Sequence, residues 1–226
     1  MQASDLRPAG DFAKQFGVKA IIYGAAGSGK TPLANTCPRP VMLACEPGLL
    51  SMAGSKVPTY QAYTKKAIDE FFLWFFGSQE TKNFDTLVVD SISHMPDIYL
   101  QEAKKTIKHG LQQYGYMAER TMNHLRRLYF TQNKHTYLIA KEEIKDIDGI
   151  NTRRPYFPGQ QLNADVPYLY DAIIHLGLAD IPSVGRHLAF RCKGTMGVIA
   201  RERTGKAFEF EEPHFGKLVT KVTSNE

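Results

Sequence analysis

The sequence predicts an α/β fold in three layers, with helices on both faces of a mostly parallel sheet and a β-hairpin near the C-terminus. Three observations predict it. Short apolar runs alternate with segments of helical periodicity along the chain. A glycine-rich stretch, Gly24-Ala25-Ala26-Gly27-Ser28-Gly29-Lys30-Thr31, lies between the first apolar run and a helix start. The next runs end in polar residues: Glu46, Asp90 and Lys141. Helical crossovers make the strands parallel, and ligands of such sheets sit at the carboxyl ends of the strands.

Residues 1–17 are mixed and polar and read as an N-terminal arm. The first strand is Lys19-Ala20-Ile21-Ile22-Tyr23, followed by the glycine loop and a short helix that Pro32 can open. Pro38 and Pro40 stop that helix. Val41–Cys45 is a second buried strand ending at Glu46-Pro47-Gly48. Ala67, Ile68, Phe71, Phe72, Phe75 and Phe76 recur at helical spacing and predict a helix over 62–76, closed by Gly77-Ser78; Trp74 and these phenylalanines read as core or subunit interface. Phe84–Ser91 is a third strand with an acidic end. A helical region follows from Pro96 to about Phe130, broken near Gly110 or Gly115. Thr136–Ala140 is a fourth strand ending at Lys141-Glu142-Glu143. Residues 145–166 lose apolar periodicity and read as a long loop, which in a compact domain is functional or disordered. Asp171–Leu176 returns to strand, and 187–192 with 198–201 read as a hairpin around Lys193-Gly194. The expected organisation is an arm (1–17), one domain (18–215) and a tail (216–226).

The chain has 226 residues, 43% of them hydrophobic and 11% aromatic, enough for a sizeable core. A net charge of +5 points mildly to an anionic partner. Cys37, Cys45 and Cys192 are widely spaced without a C-x-x-C pair, as expected of free thiols rather than a disulfide frame or zinc site. No apolar run approaches the roughly 20 residues of a membrane span, and the N-terminus does not resemble a signal peptide. The expectation is a cytoplasmic protein without membrane contact. His109, His124, His135 and His175 show no metal spacing and receive no role.

Gly24–Thr31 fits G-x-x-x-x-G-K-[ST] at every fixed position. Glycines let successive N–H groups curl around one anion, and a following helix start adds its positive end. Lys30 would reach the β- and γ-phosphates of ATP, and the Thr31 hydroxyl would ligate Mg²⁺. Asp90 closes an apolar strand about 60 residues later and would hold the same Mg²⁺ directly or through water. Hydrolysis also needs a group to orient the attacking water. Ser91, beside Asp90, cannot act as a base, so Glu46 is the best carboxylate for this work; its alternative is a turn residue before Pro47-Gly48. Lys141 stands where a strand-end group could sense the γ-phosphate, or it is a solvated lysine. Glu142 is a second, weaker carboxylate on the rim.

Together these positions resemble the RecA-like P-loop ATPases, and more closely the phage nucleotide-binding proteins linked to recombination and single-strand annealing. Gly24–Thr31 matches Walker A and Leu87–Ser91 matches Walker B. Val41–Met52 is similar to the strand that ends in the family's catalytic glutamate, which Glu46 would be. Tyr137–Glu143 is similar to the sensor strand, with Lys141 replacing the usual histidine or glutamine. Ala200-Arg201-Glu202-Arg203-Thr204-Gly205 is similar to a basic element of RadA-like relatives, whose cations reach a neighbour's ATP; the resemblance makes Arg201 and Arg203 fingers acting in trans. The resemblance places a DNA-contacting loop at 145–163, where Lys145, Arg153, Arg154, Tyr156 and Phe157 mix cations with rings, as single-strand binders do.

The resemblance thus implies an ATPase, stimulated by DNA, that acts on single-stranded DNA in phage recombination or replication within the host cytoplasm. ATP and Mg²⁺ are its cofactors. Single-stranded DNA, a homo-oligomeric ring or filament with ATP between subunits, and a single-strand-binding protein are its partners. Two rivals remain at this point: a P-loop small-molecule kinase with Arg153-Arg154 in a lid, and a nucleotide-dependent switch or loader that hydrolyses slowly.

Overall fold

The computed structural model describes residues 2, 6–8, 12, 15–182 and 184–224; most of the arm expected over 1–17 lies outside these. The parallel strands are β1 (Lys19–Gly24), β2 (Pro40–Ala44), β3 (Thr59–Gln61), β4 (Thr86–Asp90), β5 (His135–Ile147) and β7 (Ala172–Ile181). In space they run β7-β1-β5-β4-β2-β3, so β1 is central and one strand, β5, separates it from β4. β6 (Ile150–Tyr156), β8 (Gly185–Arg191), β9 (Arg201–Glu202) and β10 (Phe210–Glu211) add antiparallel pairs at β5, β7 and β8.

Alternation along the strands builds two cores, because successive side chains point to opposite faces. Ile21, Tyr23, Leu43, Val89 and Leu138 face one side. There they meet helices α1 (Lys65–Gly77), α2 (Met95–Thr106), α3 (Gly110–Tyr129) and α4 (Gln160–Leu169). Ile22, Met42, Val88, Ile139 and Ile174 face the other side, against α5 (Phe215–Thr223) and a 3-10 turn over Pro32–Thr36. This is the expected three-layer, mostly parallel α/β architecture. The phenylalanines of α1 are core: Phe71, Phe72 and Phe75 are buried, and Thr64 caps the helix by accepting from the Ala67 N–H at 3.2 Å. Trp74 packs against the same core.

Several elements differ from the sequence expectation. The segment after the glycine loop is a single 3-10 turn, so backbone N–H groups rather than a long helix dipole form the positive cradle. The helical region 96–130 is two helices parted at 107–109, and Gly115 lies inside the second. The 145–166 stretch is no loop. β5 runs on to Ile147, turns at Asp148-Gly149 and returns as β6, and α4 follows. The C-terminal hairpin is β7–β8, with Leu178 opposite Leu188. The 198–201 segment instead leads into β9, which pairs with β7 rather than β8. Residues 215–223, expected within or beside a tail, form α5, whose Phe215, Leu218, Val219 and Val222 are buried.

Candidate functional site: a phosphate loop and its carboxylates

β1 delivers Gly24 to the rim of the sheet between β5 and β7. A Cβ on Gly24 would stand 2.3 Å from the Leu176 carbonyl oxygen, so only glycine fits this closely against β7. Gly27 (φ +75°) and Gly29 (φ +93°) hold left-handed backbone that curls the loop, with open space where a side chain would be. The Lys30 ammonium folds onto the loop, donating to the Gly24 and Ala25 carbonyls at 2.7 Å each and to Ser28 Oγ at 3.3 Å. Beneath it, Tyr137 donates to the Lys30 carbonyl at 3.0 Å and packs edge-on against Phe215.

Thr31 Oγ1 donates to Asp90 Oδ2 at 2.7 Å, bridging the end of β5 to join the loop to β4. Burial pushes the Asp90 carboxyl up, with the Thr31 hydrogen bond opposing. Burial likewise pulls the Lys30 ammonium down, against the attraction of Asp90, Glu142 and Glu46. A mostly buried carboxylate that accepts from the Thr31 hydroxyl, beside a lysine and a curled backbone, fits a divalent cation with its triphosphate. Thr31 and Asp90 would hold Mg²⁺, and Gly24–Thr31 the phosphates.

Glu46 follows β2 at the same rim, where the Cys45 N–H donates to the Asp90 carbonyl at 2.6 Å. Its Oε1 accepts a short hydrogen bond from Ser91 Oγ and lies 3.4 Å from Lys141 Nζ. The structure therefore brings Lys30, Thr31, Glu46, Asp90 and Lys141 to one rim. Lys141 is tethered there by more than its own side chain: its N–H donates to Ser93 Oγ at 2.9 Å, and Ser93 donates to the Tyr156 carbonyl at 2.6 Å.

Arg201 and Arg203 are not part of this group. β9 pairs with Ala172 and Ile173, and Ile173 is level with Ile21, below the loop. Arg201 donates to the Pro167 carbonyl and, at 3.1 Å, to the Tyr170 carbonyl. Arg203 donates to the Tyr168 carbonyl at 2.6 Å and to Asp171 at 3.4 Å. The proposed DNA residues also separate. Lys145 is exposed on the hairpin. Arg153 and Arg154 are tied to Glu142 (2.9 Å) and Glu143 (2.7 Å). Tyr156 is half-buried, and Phe157 is 0% exposed in the core, so its ring cannot stack on a base.

One polar group beside the loop lies outside the residues the sequence reading assigned to the site. His175, on β7 beside Tyr23, shares hydrogen-bond distance with Glu142 (2.8 Å), and both line a cavity of about 650 Å³ with Ala25–Ser28, Arg153, Arg186 and Arg191. A histidine inside the apolar strand Ala172–Leu176, aligned with the residue before the glycine loop, is the signal that marks it. The cysteines are free and buried. Among the described residues no group of three or more His, Cys, Asp and Glu is placed to hold a metal by itself, and no helix is long and apolar enough to cross a membrane.

A curled glycine loop with its lysine, and a threonine bonded to a strand-end aspartate across the sheet rim, define a P-loop nucleotide-binding domain of the ATPase type. Residues 17–204 match the family model described as AAA domain, and the chain belongs to that family. No curated protein matches the sequence. Among solved structures it is similar to the KaiC-like protein PH0186 from the hyperthermophilic archaeon Pyrococcus horikoshii OT3. That match has 12% identity over 78% of this chain and 77% of that one, with a TM-score of 0.44.

Proposed function

We propose that the chain is an Mg²⁺-dependent ATPase of RecA-like organisation that acts on single-stranded DNA in phage recombination or replication. One observation carries the ATPase reading: Thr31 and Asp90 are joined at 2.7 Å on the rim where Glu46 also stands. Bound Mg²⁺ would neutralise charge on the β- and γ-phosphates. Lys30 would leave the Gly24 and Ala25 carbonyls for the phosphates. Glu46, held by Ser91 and Lys141, would orient the attacking water, and Lys141 would lie near the γ-phosphate.

The DNA reading rests on the basic net charge and on the hairpin β5–β6, which carries Lys145 and the half-exposed Arg153. Arg201 and Arg203 lie away from their own loop, so in a ring or filament a neighbour's nucleotide is the phosphate they would serve. A specific observation favours a second reading, a slow nucleotide-dependent switch: the Glu46 carboxylate is already engaged by a hydroxyl and an ammonium, contacts it would have to give up to reach an attacking water.

Steady-state ATP turnover with and without single-stranded DNA, using Lys30→Ala as the blank, tests these readings. Turnover raised by DNA is the expected result. Turnover indifferent to DNA would remove the DNA role, and bound nucleotide without turnover would leave the switch.

A further inference from the structure

β5 begins at His135, and its Lys141 is level with Gly24, so the residues just before β5 lie at the end of the sheet away from the phosphate loop. A cavity of about 480 Å³ opens there. Phe75 and Phe76 of α1 and Phe130, at the end of α3, give it an apolar wall. Arg126, Arg127 and Lys134 line it with them. Phe75 is nearly buried, whereas Phe130 is 65% exposed.

The three cations are held differently. Lys134 donates to the Thr81 carbonyl at 2.6 Å and to the Phe84 carbonyl, so its ammonium is committed to backbone. Arg127 lies over the Phe76 ring, 4.0 Å from its centroid. Neither Arg126 nor Arg127 makes an ion pair or a side-chain hydrogen bond among the described residues. No Asp or Glu stands three or four positions from either of them along the chain, where a helix would pair it. The described lining thus holds three cations and no carboxylate. A place in the last turn of α3 accounts for the sign of the charge, since a helix C-terminus favours cations. It does not account for a large ring left in water beside them.

We propose that this cavity is a docking site for a short acidic peptide segment of a partner protein, one that carries an aromatic side chain among its carboxylates. The charge is complementary: the two uncommitted guanidiniums would take carboxylates through paired N–H donors. The peptide's ring would enter beside Phe76 and Phe130 and remove Phe130 from water. A nucleic-acid strand fits less well. Stacked bases need open ring faces in succession, and here Arg127 covers Phe76 and Phe75 is buried, which leaves Phe130 alone. The cavity and the phosphate loop lie at opposite ends of the sheet, so peptide and nucleotide do not compete for space.

The test titrates the full chain with fluorescein-labelled short peptides of Asp and Glu that carry one Phe, placed at each position in turn, and reads fluorescence anisotropy. Control peptides replace the Phe by Ser, or the acids by Asn and Gln; a labelled oligothymidine strand is the nucleic-acid arm. An acidic Phe peptide should bind, more weakly as salt rises from about 0.05 to about 0.3 M, and both controls should bind less well. Arg126→Glu/Arg127→Glu should lose affinity roughly tenfold or more, as expected when charge-assisted hydrogen bonds are removed, and Phe130→Ser should lose affinity too. All three side chains are exposed, so these variants keep the fold; circular dichroism melts and an unchanged affinity for an ATP analogue would verify that. No saturable binding of any acidic peptide, or binding that survives both the charge reversal and Phe130→Ser, would overturn the inference. Oligothymidine held more tightly than the peptides, and lost in the same variants, would overturn it in favour of a nucleic-acid surface.

Discussion

Two glycines of the same loop should respond differently to alanine, for reasons the geometry separates. In Gly24→Ala the new Cβ would sit 2.3 Å from the Leu176 carbonyl oxygen, a backbone atom on the neighbouring strand. Ordinary carbon–oxygen contact needs about 1 Å more than this, so β1 and β7 must part where they are paired, from Ala20–Ala172 to Tyr23–His175. Overpacking of this kind costs about 1–3 kcal/mol, and the value should fall in the upper half because backbone cannot turn aside as a side chain can. In Gly27→Ala the Cβ meets nothing within 4 Å, and the cost is the left-handed backbone at φ +75°, about 1–2 kcal/mol. Urea unfolding of both variants, with ATP-analogue binding read in parallel, measures this. Gly24→Ala should lose more stability, together with the register that sets the loop and the His175–Glu142 contact. Gly24→Ala as stable as wild type would refute the reasoning, because it would mean β7 does not abut the loop.

Other expectations follow from the same structure. Phe157→Ala should cost about 3–5 kcal/mol in urea unfolding, since the ring is fully buried; loss of DNA binding with stability intact would contradict that burial. Glu46→Gln should keep nucleotide affinity and lower kcat by roughly 10²–10⁴, the usual contribution of a positioned base, read in steady-state turnover. Lys19 is 0% exposed, donates to the Thr131 (3.0 Å) and Lys134 (2.8 Å) carbonyls, and burial pulls its ammonium down to about 7. The unfolded chain therefore binds a proton that the folded one lacks between about pH 7 and pH 10.5, so stability should rise with pH across that window. Lys19→Met should flatten this slope in denaturation curves taken from pH 7 to 10.

The glycine loop, the parallel strands and the Asp90 and Glu46 strand ends were legible in the sequence because each depends on local chemistry. A glycine curl, an apolar run and a polar residue after it all leave marks in adjacent positions. The β5–β6 hairpin left a weaker mark. Lys141-Glu142-Glu143-Ile144-Lys145-Asp146-Ile147 is largely exposed and has no clean apolar face, so its periodicity resembles that of a loop. Its one local signal was Asp148-Gly149, both residues at positive φ as a tight hairpin turn requires. Phe157 was read as a stacking ring because the resemblance placed it in a DNA-contacting loop that mixes cations with rings; what buries it is the packing of α4 and the helices beside it, which come from elsewhere in the chain. The His175–Glu142–Arg153 group left only one local mark, a histidine inside an apolar strand, since three strands contribute to it and the sheet order brings them together. The ties of Arg201 and Arg203 to carbonyls at 167–170 are long-range in the same sense.

Gly24–Thr31 and Asp90 should act as one Mg²⁺–nucleotide site, which calorimetric titration with ATP, with and without Mg²⁺, would reveal. Wild type should bind ATP more tightly with Mg²⁺, and Asp90→Asn should lose most of that Mg²⁺ dependence while Lys30→Ala loses affinity in both conditions. ATP binding that is indifferent to Mg²⁺ and unchanged in Asp90→Asn, or no binding at all, would contradict the account.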